Sequence, residues 1–428
     1  MQHFIVGIVV AVAYLGLAFV SKAVSYAPGD AWTVWLASGV VFGCLLASPR
    51  SRWIGTLGGA FVGAALFALT LGVDLLGALG YGAIEVVTAG GAALIVSRLC
   101  PLPLALTRAR ELAAMVFGGA LPLALVGGVL ATAWHVGGGG TAAGPTFRVW
   151  VISNFTGTLL VAPVIVAWAG FRPKRSGGMT MPAFASGAVA CALFLGTMQI
   201  LFDANIEARF GSMGAGLTYA PIVFMALVGL LWGTRGATLA ALLGSLIAIV
   251  NTAQHEGPFA DTQGLLGDPE LEVQAYALAI ALTGLLIAVL DAGKRVAIRD
   301  ARDWQARFSA AIGAHKLIAY EWDPPTNRIV LTGDAGGLLG VAPEHIAMLA
   351  DWLGLVDGED RDAVTTHFDE RVRGHGEPDA LTYLMRRADG SLVEASDEAR
   401  VIRDHDGQLH RVVGIVRIAP AAQAPVPA

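Results

Sequence analysis

Charged residues are scarce in this chain of 428 residues. Only 14% of its residues are Asp, Glu, Lys or Arg, whereas 55% are hydrophobic. A soluble domain carries about a quarter charged residues, so the composition excludes an entirely soluble protein. The long charge-free runs fill the first two thirds of the chain, and the remainder has the composition of one ordinary soluble domain.

Basic stripes and cysteine clusters are also missing. The net charge is -5, and no run of Lys and Arg indicates a nucleic-acid partner. Cys44, Cys100 and Cys191 lie in or beside apolar runs and are not spaced as metal ligands. We therefore interpret them as small hydrophobic residues, and we expect neither a bound metal nor nucleic acid.

Apolar segments long enough, or nearly long enough, to cross a bilayer follow one another through the first 295 residues. We predict about ten transmembrane helices within a domain that spans residues 1–295. The predicted segments are Phe4–Val24, Thr33–Ala47, Trp53–Thr70, Val73–Val96, Leu112–Trp134, Val149–Phe171, Pro182–Phe202, Leu217–Trp232, Ala237–Thr252 and Leu271–Asp291. Every second connection between them is rich in Lys and Arg, which predicts that both termini face the cytosol.

Polar side chains interrupt two of these apolar segments. Glu85 lies near the middle of the fourth segment and Asn154 lies in the sixth. Ionisable residues inside a membrane are costly and are often functional. Glu85 is either a structural carboxylic acid or the centre of a ligand or proton site, whereas interhelical hydrogen bonding is the favoured role for Asn154.

Four stretches of the membrane half resemble MASE1, a bacterial membrane-associated sensory domain. They are WLASGVVFGCLLASPRSRW, YGAIEVVTAGGAALIVSRL, WVISNFTGTLLVAPVIVAW and GPFA. The resemblance covers roughly residues 4–295 and implies a sensory function. Leu36 and Ala37 depart from it because Pro is common there, and Asn154 stands where an Asp is expected.

The resemblance and the buried acid together indicate a candidate ligand site in the membrane. We expect it to be centred on Glu85. The other predicted members are Trp35, Ser38, Asn154, Gly257, Pro258 and Phe259.

The last part of the chain changes to short alternating runs separated by turn residues. HKLIAYEWD and RIVLTG predict two strands, short helices follow, and three further strands are joined at Ala388-Asp389-Gly390 and Asp406-Gly407. The predicted class is therefore a polytopic α-helical membrane bundle followed by an α+β domain, whose five-stranded antiparallel sheet carries short helices.

This order of strands and helices, with YLMRRADG and GIVRI near its end, resembles a PAS domain over residues 302–419. A PAS sheet wraps a small cavity, so five residues are candidates to face a ligand or, as we favour, to fill the core. They are Tyr320, Trp322, Leu331, Leu384 and Ile415. His367 falls where haem-binding PAS proteins carry their axial ligand. Its acidic neighbourhood favours a surface residue, so we predict no haem and no other cofactor.

Residues 290–311 connect the two halves as a predicted signalling helix. Leu290, Ala297 and Trp304 repeat every seven residues, which fits a short parallel coil and a homodimer. Lys294 interrupts the stripe, so a solvated helix whose basic residues meet anionic lipid is an equal alternative. Residues 420–428 are rich in Pro and Ala and are expected to be a disordered tail.

We find no kinase, GGDEF, EAL or phosphate-binding motif in the sequence, so we expect no enzymatic activity. The favoured function is a bacterial inner-membrane sensor that lies in the lipid bilayer and signals to a separate effector, a histidine kinase or a diguanylate cyclase. Two alternatives remain open. The chain is the sensory half of a longer kinase or cyclase, or it is a secondary transporter regulated by its PAS domain.

Overall fold

The computed structural model describes residues 2–25, 32–140, 143–171, 180–203, 217–259, 269–315, 317–373, 380–403 and 409–420. The chain divides into two compact units, Met1–Val296 and Ala297–Ala428. The helices up to this boundary are α1 (Gln2–Val24), α2 (Ala37–Leu46), α3 (Trp53–Thr70), α4 (Leu75–Leu99), α5 (Ala109–Met115), α6 (Leu121–Gly137), α7 (Ala143–Ala169), α8 (Met181–Leu201), α9 (Ala220–Ala253) and α10 (Pro269–Ala314). The boundary falls within α10.

Eight helices of the described chain are long and apolar enough to cross a membrane. They are His3–Val24, Arg50–Thr70, Leu75–Leu99, Ala109–Gly137, Ala143–Ala169, Met181–Leu201, Ala220–Ala253 and Pro269–Ala314. The fourth of these contains a π-helical turn, Val116–Ala120, between α5 and α6. The predicted polytopic helical bundle is confirmed.

Two features separate these eight helices from the ten predicted segments. Helix α2 has 10 residues, which is about 15 Å of helix against a hydrocarbon core of about 30 Å. The predicted eighth and ninth segments both lie on α9, which is broken at Gly233 with φ 64° and ψ -159°. Glycine adopts this backbone conformation without a Cβ penalty, so the chain turns there and then resumes its helix.

Two large apolar clusters and a small one of three alanines lie in the described part of the first unit. One large cluster contains residues of α1 through α7 with Leu285 and Val289 of α10, and the other is built mainly by α8, α9 and α10. Helices α2 and α7 contribute to both clusters: Val41 and Leu159 belong to the first, and Val40 and Leu160 belong to the second. The α2–α7 pair therefore lies where the two clusters meet.

The second unit contains a five-stranded antiparallel sheet in the order β2-β1-β5-β4-β3. Its strands are β1 (Leu317–Asp323), β2 (Arg328–Gly333), β3 (Leu381–Arg386), β4 (Leu392–Arg403) and β5 (Leu409–Pro420). Between β2 and β3 lie α11 (Ala335–Leu339), a 3-10 turn (Pro343–His345), α12 (Leu349–Leu355) and α13 (Arg361–Arg373). The predicted α+β class and the predicted order of elements are confirmed.

Turn chemistry accounts for the β3–β4 hairpin. Gly390 has φ +82°, and the Asp389 carboxylate accepts hydrogen bonds from the backbone N–H and the hydroxyl of Ser391, at 2.9 and 2.6 Å. These bonds close the turn locally, as Asp-Gly sequences do between alternating strands. The second predicted turn, Asp406-Gly407, and residues 421–428 of the predicted tail lie outside the described residues.

Candidate functional site

Glu85 lies in the middle of α4, and its side chain is only 6% exposed. Its Oε2 atom lies within hydrogen-bond distance of the hydroxyl oxygens of Ser38 on α2, at 2.9 Å, and Tyr14 on α1, at 3.3 Å. Its Oε1 atom has no hydrogen-bond partner among the described residues. A buried polar atom without a partner costs free energy, so this carboxyl group is the least satisfied point of a polar cluster inside the bundle.

Ser38 extends this cluster to a fourth helix. Its Oγ lies 3.0 Å from Oδ1 of Asn154 on α7, and the Asn154 amide nitrogen donates to the Trp150 carbonyl oxygen at 3.0 Å. Ser38 and Asn154 are both buried. The structure thus joins Glu85, Ser38 and Asn154, which are far apart in sequence, and adds Tyr14. We call these four residues the Glu85 cluster.

Glycine contacts between α2 and α7 place Ser38 beside Asn154. A Cβ on Gly157 would overlap the backbone carbonyl of Trp35, and a Cβ on Gly39 would lie 2.9 Å from the Gly157 carbonyl oxygen. Only hydrogen fits at these positions, so the two backbones approach closely, as small residues permit in lipid. The N–H of Trp35 also donates to the Ser153 carbonyl oxygen at 3.0 Å, which fixes the start of α2 on α7.

Aromatic side chains surround one side of the Glu85 cluster. The Trp35 ring packs against Tyr14 at 6.3 Å, Trp32 at 5.0 Å and Phe67 at 5.4 Å between ring centroids. The sequence identified Trp35 but missed Tyr14. A lone tyrosine inside the apolar run AVAYLGL was the available signal, because a buried phenol requires a hydrogen-bond partner.

The predicted turn Gly257–Phe259 belongs to another part of the bundle. Phe259 packs against Phe202 and Tyr276, at 5.7 and 5.3 Å between ring centroids. Gly257 has φ +83°, and a Cβ there would lie 2.9 Å from the Phe202 ring. Pro258 lies between these residues and is half-buried. The described contacts therefore place Phe259 in the second apolar cluster, whereas Trp35 packs against the first.

Inside the second unit, the predicted cavity residues lie on two faces of the sheet. Tyr320 and Trp322 are buried in the core, and Leu331 pairs with Tyr320 and is half-buried beside them. Ile415 is 39% exposed. It pairs with Ala319, one residue out of phase with Tyr320, and therefore lies on the opposite face.

Leu384 departs from the expectation for the same reason. It pairs with Glu394, whereas its neighbours Tyr383 and Met385 pair with buried residues and point into the core. The period of two along a strand thus places Leu384 and Ile415 outside the interior where the sequence analysis expected them.

A charged network that the sequence analysis did not foresee lies in this interior. Arg371 on α13 and Asp397 on β4 form an ion pair at 3.2 Å, and both side chains are 0% exposed. The Tyr320 hydroxyl donates to Asp397 at 3.0 Å and contacts Arg371. Burial, together with the Asp397 carboxylate, raises the pKa of Tyr320 well above its ordinary range. Burial raises the pKa of Asp397, and the Arg371 guanidinium partly offsets this.

His367 lies one helical turn before Arg371. Its Nε2 atom is 2.7 Å from Nη2 of Arg371. A guanidinium only donates hydrogen bonds, so Nε2 is the acceptor and the ring proton resides on Nδ1. The half-buried His367 is therefore attached to the buried Arg371–Asp397 network.

Comparisons with known proteins address each half. The PAS fold family matches residues 329–416, and no curated protein matches the chain significantly. One similar solved structure is the N-terminal domain of a diguanylate cyclase with PAS/PAC sensor from Marinobacter aquaeolei. The two are 20% identical in sequence, the match covers 24% of this chain and 94% of that chain, and the TM-score is 0.23. Another is a sensory box histidine kinase/response regulator from Burkholderia thailandensis E264. The two are 16% identical in sequence, the match covers 26% of this chain and 83% of that chain, and the TM-score is 0.23.

The membrane half matches a second family. The MASE1 model covers residues 5–292, which is more than half of the chain. MASE1 is a membrane-associated sensory domain, and the apolar helices described above lie largely within the matched range. The chain therefore belongs to the MASE1 family, and it is a multi-pass membrane protein that carries a PAS domain and serves as a membrane sensor.

Proposed function

We propose that this chain is a receptor of the bacterial plasma membrane whose signal-detecting site is the Glu85 cluster. The site detects a small ligand or a state of the membrane. The observation that carries the proposal is a single carboxyl group that links α1 and α2 to α4 and, through Ser38, to α7. Burying an acid in a membrane is costly, and such residues are retained where they serve a function.

Packing supports this location for a switch. Helix α2 carries Ser38 and packs against both apolar clusters of the bundle. A change in the hydrogen bonds of Ser38 therefore acts on the residues where the two clusters meet. Trp35 enters the same site through its ring contact with Tyr14. Gly257, Pro258 and Phe259 remain a separate prediction, supported by the family-like motif alone.

We propose that α10 carries the signal to the PAS domain and that the protein acts as a homodimer. Helix α10 has 46 residues and extends past the boundary at Val296. Leu290 and Trp304, two members of its seven-residue repeat, are 54% and 67% exposed. A parallel partner helix would cover this stripe.

The output is proposed to come from a separate protein, a histidine kinase or a diguanylate cyclase, because MASE1 and PAS are sensory domains. The asymmetry of Lys and Arg between alternate connections supports cytoplasmic termini. The chain itself is proposed to have no catalytic activity.

Hydrogen exchange of the full chain in lipid nanodiscs tests this function. Glu85→Gln keeps the shape of the side chain but removes its ability to change charge. If the Glu85 cluster controls α10, peptides from 297–314 and from β1 will, at one or more points of a pH series, exchange at rates that differ from wild type by about threefold or more. The matched control is Glu394→Gln on β4, because Glu394 is exposed and its loss should leave those rates unchanged. Identical exchange in Glu85→Gln and wild type at every pH of the series would contradict the proposal.

A transporter regulated by its PAS domain is the second candidate. The break in α9 at Gly233 favours it, because transporters build substrate sites from discontinuous helices. Reconstituted vesicles that accumulate a solute in a Glu85-dependent manner would support this candidate over a receptor.

A further inference from the structure

Ser38 makes two hydrogen-bond contacts, and its single hydroxyl proton can serve only one of them. Ser38 Oγ lies within hydrogen-bond distance of Glu85 Oε2 and of Asn154 Oδ1, at 2.9 and 3.0 Å. Each of these two contacts between oxygen atoms requires one proton. The Ser38 hydroxyl supplies one, and an amide oxygen has none to give. The second proton must come from Glu85 or from an Asn154 amide turned the other way.

The Trp150 carbonyl oxygen decides between these sources. It lies 3.0 Å from the Asn154 amide nitrogen and accepts a hydrogen bond from it. Turning the amide would place its oxygen against this carbonyl oxygen, and two acceptors would then face each other. Asn154 Oδ1 therefore faces Ser38, and the Ser38 proton is directed to Asn154. The contact between Ser38 and Glu85 then needs a proton on the Glu85 carboxyl group.

Two further features fit a neutral carboxylic acid. Glu85 Oε1 is buried and has no hydrogen-bond partner in the described part of the chain, and an uncharged carbonyl oxygen tolerates this far better than a carboxylate oxygen does. The Tyr14 hydroxyl is 3.3 Å from Oε2, longer than the Ser38 contact, as expected for a weak bond to an oxygen that already carries a proton.

We propose that the proton is the ligand of the Glu85 cluster. Bound to Glu85, it completes the chain of hydrogen bonds from α4 through Ser38 on α2 to Asn154 on α7. When the proton leaves, the Ser38 hydroxyl can satisfy Glu85 or Asn154 but not both, so one of the links between α2 and its neighbours is lost. This inference rests on the proposed function, because it names the ligand of the same site.

The surroundings leave Glu85 as the group that titrates. The neighbouring helices α2 and α3 contain no Asp, Glu, Lys, Arg or His. Tyr14 is the titratable residue of α1 that contacts Glu85. Helix α6 carries His135 in its last turn, and α7 carries Arg148 five residues before Ser153. Neither belongs to the Glu85 cluster, to which α7 contributes the uncharged Asn154. The cluster contains no basic residue that would hold Glu85 as a carboxylate.

Infrared difference spectroscopy of the full chain in nanodiscs tests the inference. Stepping the pH should change the carbonyl absorption of protonated carboxylic acids, and the band assigned to Glu85 should account for one group per chain. Glu85→Gln should remove this band, and Glu394→Gln should leave it unchanged. Ser38→Ala should keep the band but shift it to higher frequency, because the acid loses its hydrogen-bond acceptor.

The outcomes separate the two proposals. A Glu85 band that is absent at every pH at which the protein remains folded overturns the proton inference, even if Glu85→Gln still alters exchange in α10. A band that behaves as expected, combined with unchanged exchange in α10, supports the proton site and refutes its role in signalling. A band that Ser38→Ala does not shift contradicts the hydrogen-bond count.

Discussion

Removing Arg371 should destabilise the PAS domain strongly, because its partner Asp397 would remain buried without a counter-charge. Arg371→Met keeps a long side chain over Phe368 while removing the cation, which lies 4.9 Å from that ring. Both partners of the ion pair are fully buried, and breaking such a pair costs about 3–5 kcal/mol. Tyr320 still donates to Asp397 in the variant, so we expect a loss at the lower end, about 3 kcal/mol.

Hydrogen exchange of the full chain measures this loss directly. At 1.4 kcal/mol for each factor of ten, protection of the most stable β4 amides should fall by roughly one hundredfold or more. Peptides from α3 provide the internal control, since they belong to the first unit. A fall of less than tenfold in β4 would refute the view that Asp397 depends on Arg371.

The double variant Arg371→Met/Asp397→Leu separates loss of the ion pair from loss of packing. Replacing both partners removes the uncompensated charge, and apolar replacements of buried ion pairs are often neutral or stabilising. We expect β4 protection to return to within about tenfold of wild type. A double variant no better than Arg371→Met would show that the side-chain shape, and not the charge, explains the effect. In the double variant the Tyr320 hydroxyl loses Asp397 as its hydrogen-bond acceptor, so we do not expect β4 protection to return fully to the wild-type value.

Three other predictions follow from single contacts. Gly157→Leu should separate α2 from α7, because even a Cβ overlaps the backbone there, and the variant should show raised exchange in α2 while still inserting into membranes. The Arg386 hydrogen bond lowers the pKa of Asp357. The ionised carboxylate therefore stabilises the domain fully at pH values above the ordinary aspartate pKa, and this stabilisation is lost as the pH falls through the lowered pKa. Asp357→Asn should flatten the dependence of β3 exchange on pH in that acid range. Trp304→Ala/Phe308→Ala should weaken the proposed dimer, seen as a higher monomer fraction in native mass spectrometry, because Trp304 lies on the seven-residue stripe and Phe308 stacks against it.

Local chemistry made the PAS strands predictable. The run RIVLTG corresponds to β2, and HKLIAYEWD contains β1, because alternation and flanking turn residues define a strand without reference to the rest of the fold. Glu85 and Asn154 were found for a similar reason, since a polar residue in an apolar helix stands out in any sequence. Ile415 was assigned to the wrong face of the sheet. The face on which a strand residue lies depends on strand register, and a shift of one residue reverses it.

Features that depend on distant residues escaped prediction. The Arg371–Asp397 pair joins a helix to a strand across the core, and each residue alone has the sequence context of a surface charge. The two segments predicted on either side of WGTRG match two helices that meet at Gly233; what the loop-like composition did not indicate is that the second helix resumes directly after the kink. Tyr14 was overlooked because tyrosines are common where helices leave the membrane, and its partner Glu85 is 71 positions away.

The short length of α2 explains why one proton could control a large bundle. A helix of 10 residues is too short to be fixed by spanning the bilayer, so its position depends on its contacts with neighbours. The described polar contacts near its N-terminal end are few: Ser21 Oγ accepts from the N–H of Leu36 at 2.9 Å, the Trp35 N–H bonds to α7, and Ser38 bonds to Glu85 and Asn154. Losing one such bond inside lipid costs about 1 kcal/mol, and a buried carboxylate adds to this. Because α2 contributes residues to both apolar clusters, a small displacement of α2 that follows the loss of this bond alters the packing of each cluster.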